Sequence, residues 1–375
     1  MEAWTGPAIG LLLCAFAAHV LSVVLALLHL RRPARPRAAL DIGVSVLRPL
    51  CGVENHVEAA LASCFRLDHP RHELIFCVES PDDPVIPLVR RMIAAHPERE
   101  ARLLIGADRI SGNPKLNNVV KGWRAARHDW ILMSDSNVLL PPDALDRLAA
   151  AWDDRTAFVC SPPVGVDGEG LGGRLEMAFL NTYQARWQLA VDLLGIGFVQ
   201  GKNILMRRSE VDAAGGIAAL GAEAAEDAAC TKIARRLGRT VRLVDRPFFQ
   251  PLGHRSLVAA WQRQLRWARL RRGSFPLLFA AEILSGAFLP TMLYAGLAAA
   301  GSLPWAGLGL LVHVWYGAEA VLAHAFRWPL GWASPLSWMA RDLLLPALWL
   351  GGWTGSSFTW RGNAMTATVE AAAEG

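Results

Sequence analysis

The chain has 375 residues, 53% of them hydrophobic and only 19% charged, with a formal net charge of +5. It is too long for one small domain, and soluble domains carry nearer about a quarter charged residues, so a lone small soluble domain is excluded and membrane segments beside a catalytic domain are expected. The cysteines (Cys14, Cys51, Cys64, Cys77, Cys160 and Cys230) form no C-x-x-C pair, which leaves neither a zinc signature nor a disulfide framework, only reduced thiols.

Residues 7–30 are almost wholly apolar, interrupted by His19 and His29, and are long enough to cross a bilayer. A cleaved signal peptide would begin with basic residues and end at small ones. Here Glu2 precedes the run, and Arg31, Arg32, Arg35 and Arg37 follow it, so an uncleaved anchor with a cytoplasmic sequel is predicted. A second basic group, Arg263, Arg266, Arg269, Arg271 and Arg272, precedes the later apolar runs. Both groups abut apolar stretches, which favours juxtamembrane anchoring over nucleic-acid binding.

Residues 40–250 read as globular. The short apolar runs Ile42–Leu47, Glu73–Glu79, Trp130–Met133 and Val241–Val244 are bounded by turn residues, as buried parallel strands are. Helix-like stretches at 54–66, 84–95, 114–127 and 141–151 lie between them, the last opened by Pro141-Pro142-Asp143. This alternation predicts an α/β domain with a mainly parallel sheet. Apolar runs then return at 279–301, at 304–326 and, shorter, at 341–357. Glu282 and His313 fall within them and are expected to face a bundle interior or the interface. Eight of the 15 tryptophans follow residue 300, as in an interfacial aromatic belt, and residues 327–340, with Trp328, Trp332 and Trp338, read as interfacial.

Ligands of open parallel sheets bind beyond the carboxyl ends of the strands, and three acidic features stand there. Glu79 and Asp82-Asp83 follow one strand, Asp135 opens Asp135-Ser136-Asn137 after another, and Glu226-Asp227 precedes a helix ending near Gly238. A nucleotide-sugar enzyme needs this chemistry. A Mg²⁺ or Mn²⁺ ion bridging the diphosphate wants one or two carboxylates, for which Asp135 is suited. A separate carboxylate must take the proton of the attacking hydroxyl, for which Asp227 is the candidate. Arg263-x-x-Arg266-Trp267 would stabilise the departing diphosphate, with Trp267 beside sugar or acceptor. Singly, each reads as a helix cap, a turn or a solvated charge; their order and apolar flanks join them.

Residues 40–270 resemble ceramide glucosyltransferases, inverting enzymes of the GT-A fold related to hopanoid glycosyltransferases and to the cellulose and hyaluronan synthases. The resemblance is carried by Val44–Val53 (VSVLRPLCGV), Cys77–Ile86 (CVESPDDPVI), Asn113–Asn118 (NPKLNN), Ser134–Asn137 (SDSN), Glu226-Asp227 and Arg263–Trp267 (RQLRW). It implies a GT-A-type, Rossmann-like nucleotide-sugar domain at 40–272, between an N-terminal anchor at 1–32 and a membrane region of two to three segments at 273–375. Asp83 would serve the nucleotide, Asp135 the metal, and Asp227 would be the catalytic base. Pro49 and Glu79 would line the nucleoside pocket, and Lys115 would sit near the diphosphate.

Two positions depart from the pattern. Many relatives of the wider group have D-x-D at the metal site, where this chain has Asn137, whose amide oxygen is still a possible ligand. Animal members carry a histidine near Gln184, so the acceptor surface there does not transfer. The expected partners are a UDP-sugar donor, a membrane lipid acceptor (ceramide first, a hopanoid or diacylglycerol as alternatives) and the bilayer, with no nucleic acid. The expected location is the cell inner membrane, multi-pass, with the catalytic domain cytoplasmic. A processive polysaccharide synthase would need more spans, and a non-catalytic scaffold would not need carboxylates at three strand ends.

Overall fold

A computed structural model describes residues 2–32, 42–360 and 363–367. Arg35 and Arg37 of the first basic group, and the ends of the predicted segments at 1, 40–41 and 368–375, lie outside the described residues. The chain forms two compact units. Of the described residues, 32, 42–167, 194–253, 357–360 and 363–367 form an α/β unit, and 2–31, 168–193 and 254–356 a helical unit. Residues 168–193 and 254–272, assigned from sequence to the central domain, thus group with the terminal helices. Their helices carry apolar side chains such as Leu175, Phe179 and Leu265, which pack on Leu345 and Leu348.

The α/β unit is built on strands β1 (Val44–Leu50), β2 (His72–Val78), β3 (Ala101–Ile105), β4 (Trp130–Ser134), β5 (Thr156–Cys160), β7 (Asn203–Arg207) and β8 (Thr240–Leu243), ordered β3-β2-β1-β4-β7-β5-β8. A separate two-stranded sheet pairs β6 (Val164–Glu169) with β9 (Phe249–His254). Every residue of β1 is buried; most are apolar, and the two that are not are hydrogen-bonded, Ser45 to Glu73 and Arg48 to Ser134 and the Val138 carbonyl. β1 lies parallel to β2 and β4, β2 to β3, and β5 to β8. β7 alone in this sheet runs antiparallel to its neighbours, pairing Ser134 with Asn203 on β4 and Cys160 with Ile204 on β5. The sheet is mainly parallel, as predicted, with one strand reversed. The strand order turns back between β1 and β4, the kind of switch point at which α/β sheets bind ligands.

The predicted helices appear at Val57–Phe65, Ile86–Ala95, Pro114–Ala125, Ala144–Ala150 and Glu226–Arg236. Leu61, Phe65, Phe76, Val89 and Leu145 join the β-strand valines and leucines in one core.

In the helical unit, Glu2–Leu30 is one continuous helix. Trp4–Leu30 and Trp305–Phe326 are long and apolar enough to cross a membrane. The run predicted as a span at 279–301 holds two helical pieces, Pro276–Leu284 and Phe288–Ala299, bent by 44°, which together are long and apolar enough for one broken span. The break falls at Ser285-Gly286-Ala287, where a side chain on Gly286 would meet Leu345 and Asp342. The short segment predicted at 341–357 belongs to a 20-residue helix, Ser334–Trp353, which also takes up part of the stretch read as interfacial.

His19 and His29 are buried: His19 bonds the Trp315 carbonyl at 3.0 Å and His29 meets Asp192 at 3.1 Å. Of the two polar residues expected to face a bundle interior or the interface, Glu282 pairs with Arg271 at 2.7 Å, and His313 is exposed on its helix. The deeper charges are others. Arg341 is almost fully buried among Glu319 (2.8 Å), Asp342 (2.8 Å) and Thr182 (2.9 Å), which satisfies a guanidinium that would otherwise be prohibitive to bury.

Candidate active site

The run Asn113–Asn118 builds one wall of a polar cluster at the carboxyl ends of the parallel strands. Asn113 caps the Pro114–Ala125 helix, its side chain accepting from the Lys115 amide at 2.9 Å, and Pro114 fills the first helical position, where no N–H is needed. Asn117 Oδ1 accepts from the amides of Ile110 and Ser111 and so closes the preceding loop. Asn118 donates to the carbonyls of Leu50 and Cys77, tying together the ends of β1 and β2. Lys115 and the Asn113 side-chain amide project into the cluster.

Lys115 Nζ lies 2.6 Å from Asp135 Oδ1, 2.5 Å from Glu226 Oε1 and 2.9 Å from the Gly201 carbonyl. Asn113 Nδ2 holds the other Glu226 oxygen at 3.0 Å. Burial by itself would lower the Lys115 pKa, but Asp135 and Glu226 outweigh it and hold the ammonium well above its usual range. Burial likewise would raise Asp135, and the charges of Lys115 and Lys202 reverse this, keeping its carboxyl well below the usual carboxylate range. Both groups are therefore ionised around neutral pH.

Asp227 sits one residue beyond Glu226, in the first turn of the Glu226–Arg236 helix. The Gly201 amide donates to its Oδ2 at 3.1 Å and the Ala228 amide to its Oδ1 at 2.8 Å. Burial, and next the negative charge of Glu226, push its pKa up to about 6 despite these donors and Lys115. A carboxylate so placed is ionised at neutral pH and a much better proton acceptor than an exposed aspartate. Gly201 has no side chain for a reason: a Cβ there would stand 3.1 Å from Glu226 Oε1 and 3.3 Å from Asp227 Oδ2.

Lys202 carries the second cation. Its Nζ lies 2.9 Å from Asp135 Oδ2 and 3.1 Å from Asn137 Oδ1, and Asn137 Nδ2 donates to Glu54 at 3.2 Å. The expected Mg²⁺ or Mn²⁺ would find one carboxylate and one amide oxygen in Asp135 and Asn137. Both are already engaged by Lys202, and Lys115 holds the other Asp135 oxygen. The arrangement fits an ammonium; a divalent ion would enter only by displacing it. Among the described residues no three His, Cys, Asp or Glu side chains are grouped to hold a metal.

The remaining predicted residues have other surroundings. Both Asp83 oxygens accept from the Gly52 amide, at 2.9 and 3.1 Å, and Oδ1 accepts from Val85 at 2.9 Å, so this carboxylate fixes the loops after β1 and β2. Pro49 is buried on β1 opposite Cys77, and Glu79 is exposed just past β2. Arg263, Arg266 and Trp267 belong to the helical unit, on the helix Leu257–Ser274. There Arg263 and Arg255 converge on the fully buried Glu176, at 3.0 and 2.9 Å. Gln184 bonds Gln264 at 3.0 Å.

Sequence reasoning passed over Lys202, Gly201 and Glu54, named Asn113 only as part of the Asn113–Asn118 run, and used Glu226 only as a neighbour of Asp227. One signal for Lys202 was present. Of the 38 basic residues only four are lysine, and Lys115 and Lys202, far apart in the chain, are two of them.

A family model described as "Glycosyl transferase family 21" matches residues 13–373. Ceramide glucosyltransferase 1 of Caenorhabditis elegans is 30% identical over 271 residues, covering 72% of this chain and 58% of that protein. Ceramide glucosyltransferase 3 of the same organism is 26% identical over 363 residues, covering 93% and 78%. Ceramide glucosyltransferase of Komagataella phaffii is 33% identical over 195 residues, covering 46% and 38%. The chain therefore spans from well under half to about three quarters of the length of these relatives. Among solved structures, mannosyltransferase PcManGT from Pyrobaculum calidifontis, in complex with GDP-Man and Mn²⁺, superposes with a TM-score of 0.53 at 18% identity, over 90% of this chain and 99% of that one. The shared fold is GT-A.

Proposed function

The chain belongs to glycosyl transferase family 21, and on that premise we propose that it transfers glucose, or a related hexose, from a UDP-sugar to the primary hydroxyl of ceramide. The product is a β-linked glycosylceramide, with UDP released. The names of the curated relatives support the donor and the acceptor. The observation that carries the reading is the convergence of Lys115, Lys202, Asp135 and Asp227 beyond the strand ends.

Asp227 accepts the proton of the acceptor hydroxyl. The oxygen then attacks the anomeric carbon from the face opposite the leaving group, the bond to the diphosphate oxygen breaks, and UDP departs with the electron pair. Lys115 and Lys202 offset the charge that builds on the diphosphate. Asp83, Pro49 and Glu79 keep the nucleoside role that the resemblance implies, and Arg263, Arg266 and Trp267 keep theirs at diphosphate and sugar; these assignments rest on the motifs. The candidate membrane helices, with Arg31 and Arg32 following the first, support an inner-membrane protein whose catalytic unit is cytoplasmic, so that the lipid acceptor need not leave the bilayer.

The test is mass spectrometry of lipids from a host that expresses the chain and is supplied with ceramide. A new hexosylceramide, absent with Asp227→Asn, is expected. A glycosylated hopanoid or diacylglycerol would replace the acceptor, and a long polysaccharide would overturn the reading.

A further inference from the structure

The cluster contains a cation of the chain's own where a metal-dependent enzyme would place an ion. Lys202 stands immediately before β7, and its carbonyl accepts from the Asp135 amide at 2.9 Å. The β4–β7 ladder therefore sets its backbone beside Asp135 before any side chain is considered. Its ammonium then bridges Asp135 Oδ2 and Asn137 Oδ1 and is 14% exposed, buried enough to be held and open enough to meet a ligand.

We propose that the Lys202 ammonium is the resident cation of the donor site: it holds Asp135 and Asn137 together and receives the diphosphate, so that the chain binds its nucleotide donor without a divalent ion. The inference rests on the nucleotide-sugar reading above.

Charge matching supports it. The two carboxylates Asp135 and Glu226 are balanced by the two ammonium groups of Lys115 and Lys202. A divalent ion prefers more carboxylate oxygen and, for Mg²⁺, six ligands in octahedral array. The second oxygen of Asp135 is taken by Lys115, so a metal would have to share its one carboxylate with two ammonium groups. Residue choice supports it too. In a chain with 34 arginines and four lysines, the two cations here are both lysines. A lysine is a compact point charge on a flexible stem with three donors, able to turn from a carboxylate to a phosphate. The planar fork of arginine is less adaptable.

The experiment is calorimetric titration of the purified full chain with UDP, in EDTA and in Mn²⁺, with electron paramagnetic resonance to count bound Mn²⁺. Wild-type affinity should differ by less than about threefold between the two media, with no tightly bound Mn²⁺. Lys202→Met should weaken UDP binding in EDTA by about tenfold or more, and Lys202→Arg, which keeps the charge, by less. Asn137→Asp, which adds a second carboxylate, should introduce Mn²⁺ binding. Wild-type binding that collapses in EDTA and returns with Mn²⁺ would overturn the inference while leaving the transferase reading in place. If Lys202→Met does not fold, the wild-type and Lys202→Arg titrations still decide. Failure to bind UDP in either medium would overturn the donor reading, and this inference with it.

Discussion

Lys202 and Asp135 meet twice, once through backbone and once through side chains: the Asp135 amide donates to the Lys202 carbonyl at 2.9 Å, and the Lys202 ammonium pairs with Asp135 Oδ2 at 2.9 Å. The double contact follows from the reversal of β7. In the antiparallel pair with β4, the residue before β7 lies beside the residue after β4. A parallel strand would have placed its amino end at the opposite edge of the sheet. One strand direction thus decides which cation reaches the site.

Replacing Asp227 by asparagine should abolish transfer, with a loss of about a thousandfold or more in kcat, because general-base catalysis is typically worth 10²–10⁴. Asparagine keeps the shape and can still accept from the Gly201 amide, so UDP-sugar affinity by calorimetry should stay within about threefold of wild type. Full activity in purified Asp227→Asn would remove Asp227 from the base role.

The pH profile of kcat should show a single ionisation near the Asp227 value of about 6. The Asp227 carboxylate must be ionised to take the proton, so activity is present above that pH and falls as pH falls through it. The same shift acts on stability with the opposite sense. The folded pKa exceeds the ordinary aspartate value of about 3.9, so the folded state binds this proton more tightly and the stability contributed by this group rises as pH drops from about 6 towards about 4. Asp227→Asn should flatten this part of the thermal-stability profile, and an unchanged profile would contradict the assignment.

Gly201→Ala adds a methyl group against Glu226 Oε1 and Asp227 Oδ2. The carboxylates must give by a few tenths of an ångström, and a reduction of about tenfold in kcat is expected from so small a displacement at a reacting group. Steady-state kinetics on the lipid acceptor measure it; kcat equal to wild type would show that Asp227 need not be held as described.

In the helical unit, Arg263→Ala leaves the fully buried Glu176 with Arg255 alone. Loss of one partner from a buried ion cluster should cost about 2–3 kcal/mol, visible as a lower melting temperature in detergent. Arg263→Lys, which keeps a charge near Glu176, should recover part of that loss. Equal melting for Arg263→Ala and wild type would argue that the Glu176 pairing contributes nothing to the fold.

Much of the scaffold was legible without coordinates. β1, β2 and β4 announce themselves because a strand covered on both faces is mostly apolar, whereas β8 buries only alternate residues, Val241 and Leu243. β7, with Asn203-Ile204-Leu205-Met206 between two polar residues and an arginine, is as buried but has no distinguishing composition, and neither its existence nor its direction was read. The apolar run at 279–301 had the composition of one span. Its bend depends on Gly286, which fits beneath Leu345 and Asp342 from another helix. Glu319 lay in plain view in an apolar run and was passed over, since its contacts with Arg341 and Arg186, distant in sequence, explain its burial.

By itself the sequence determined four strands of the main sheet, the helices between them, the membrane-length apolar helices and the acidic residues Asp83, Asp135 and Asp227, because burial and periodicity are local. The tertiary structure alone decided which charges meet. Asp135 and Lys202 are separated by 67 residues and Lys115 and Glu226 by 111. Their pairing, and the raised pKa of Asp227 beside Glu226, depend on low-dielectric burial among groups that no local pattern records.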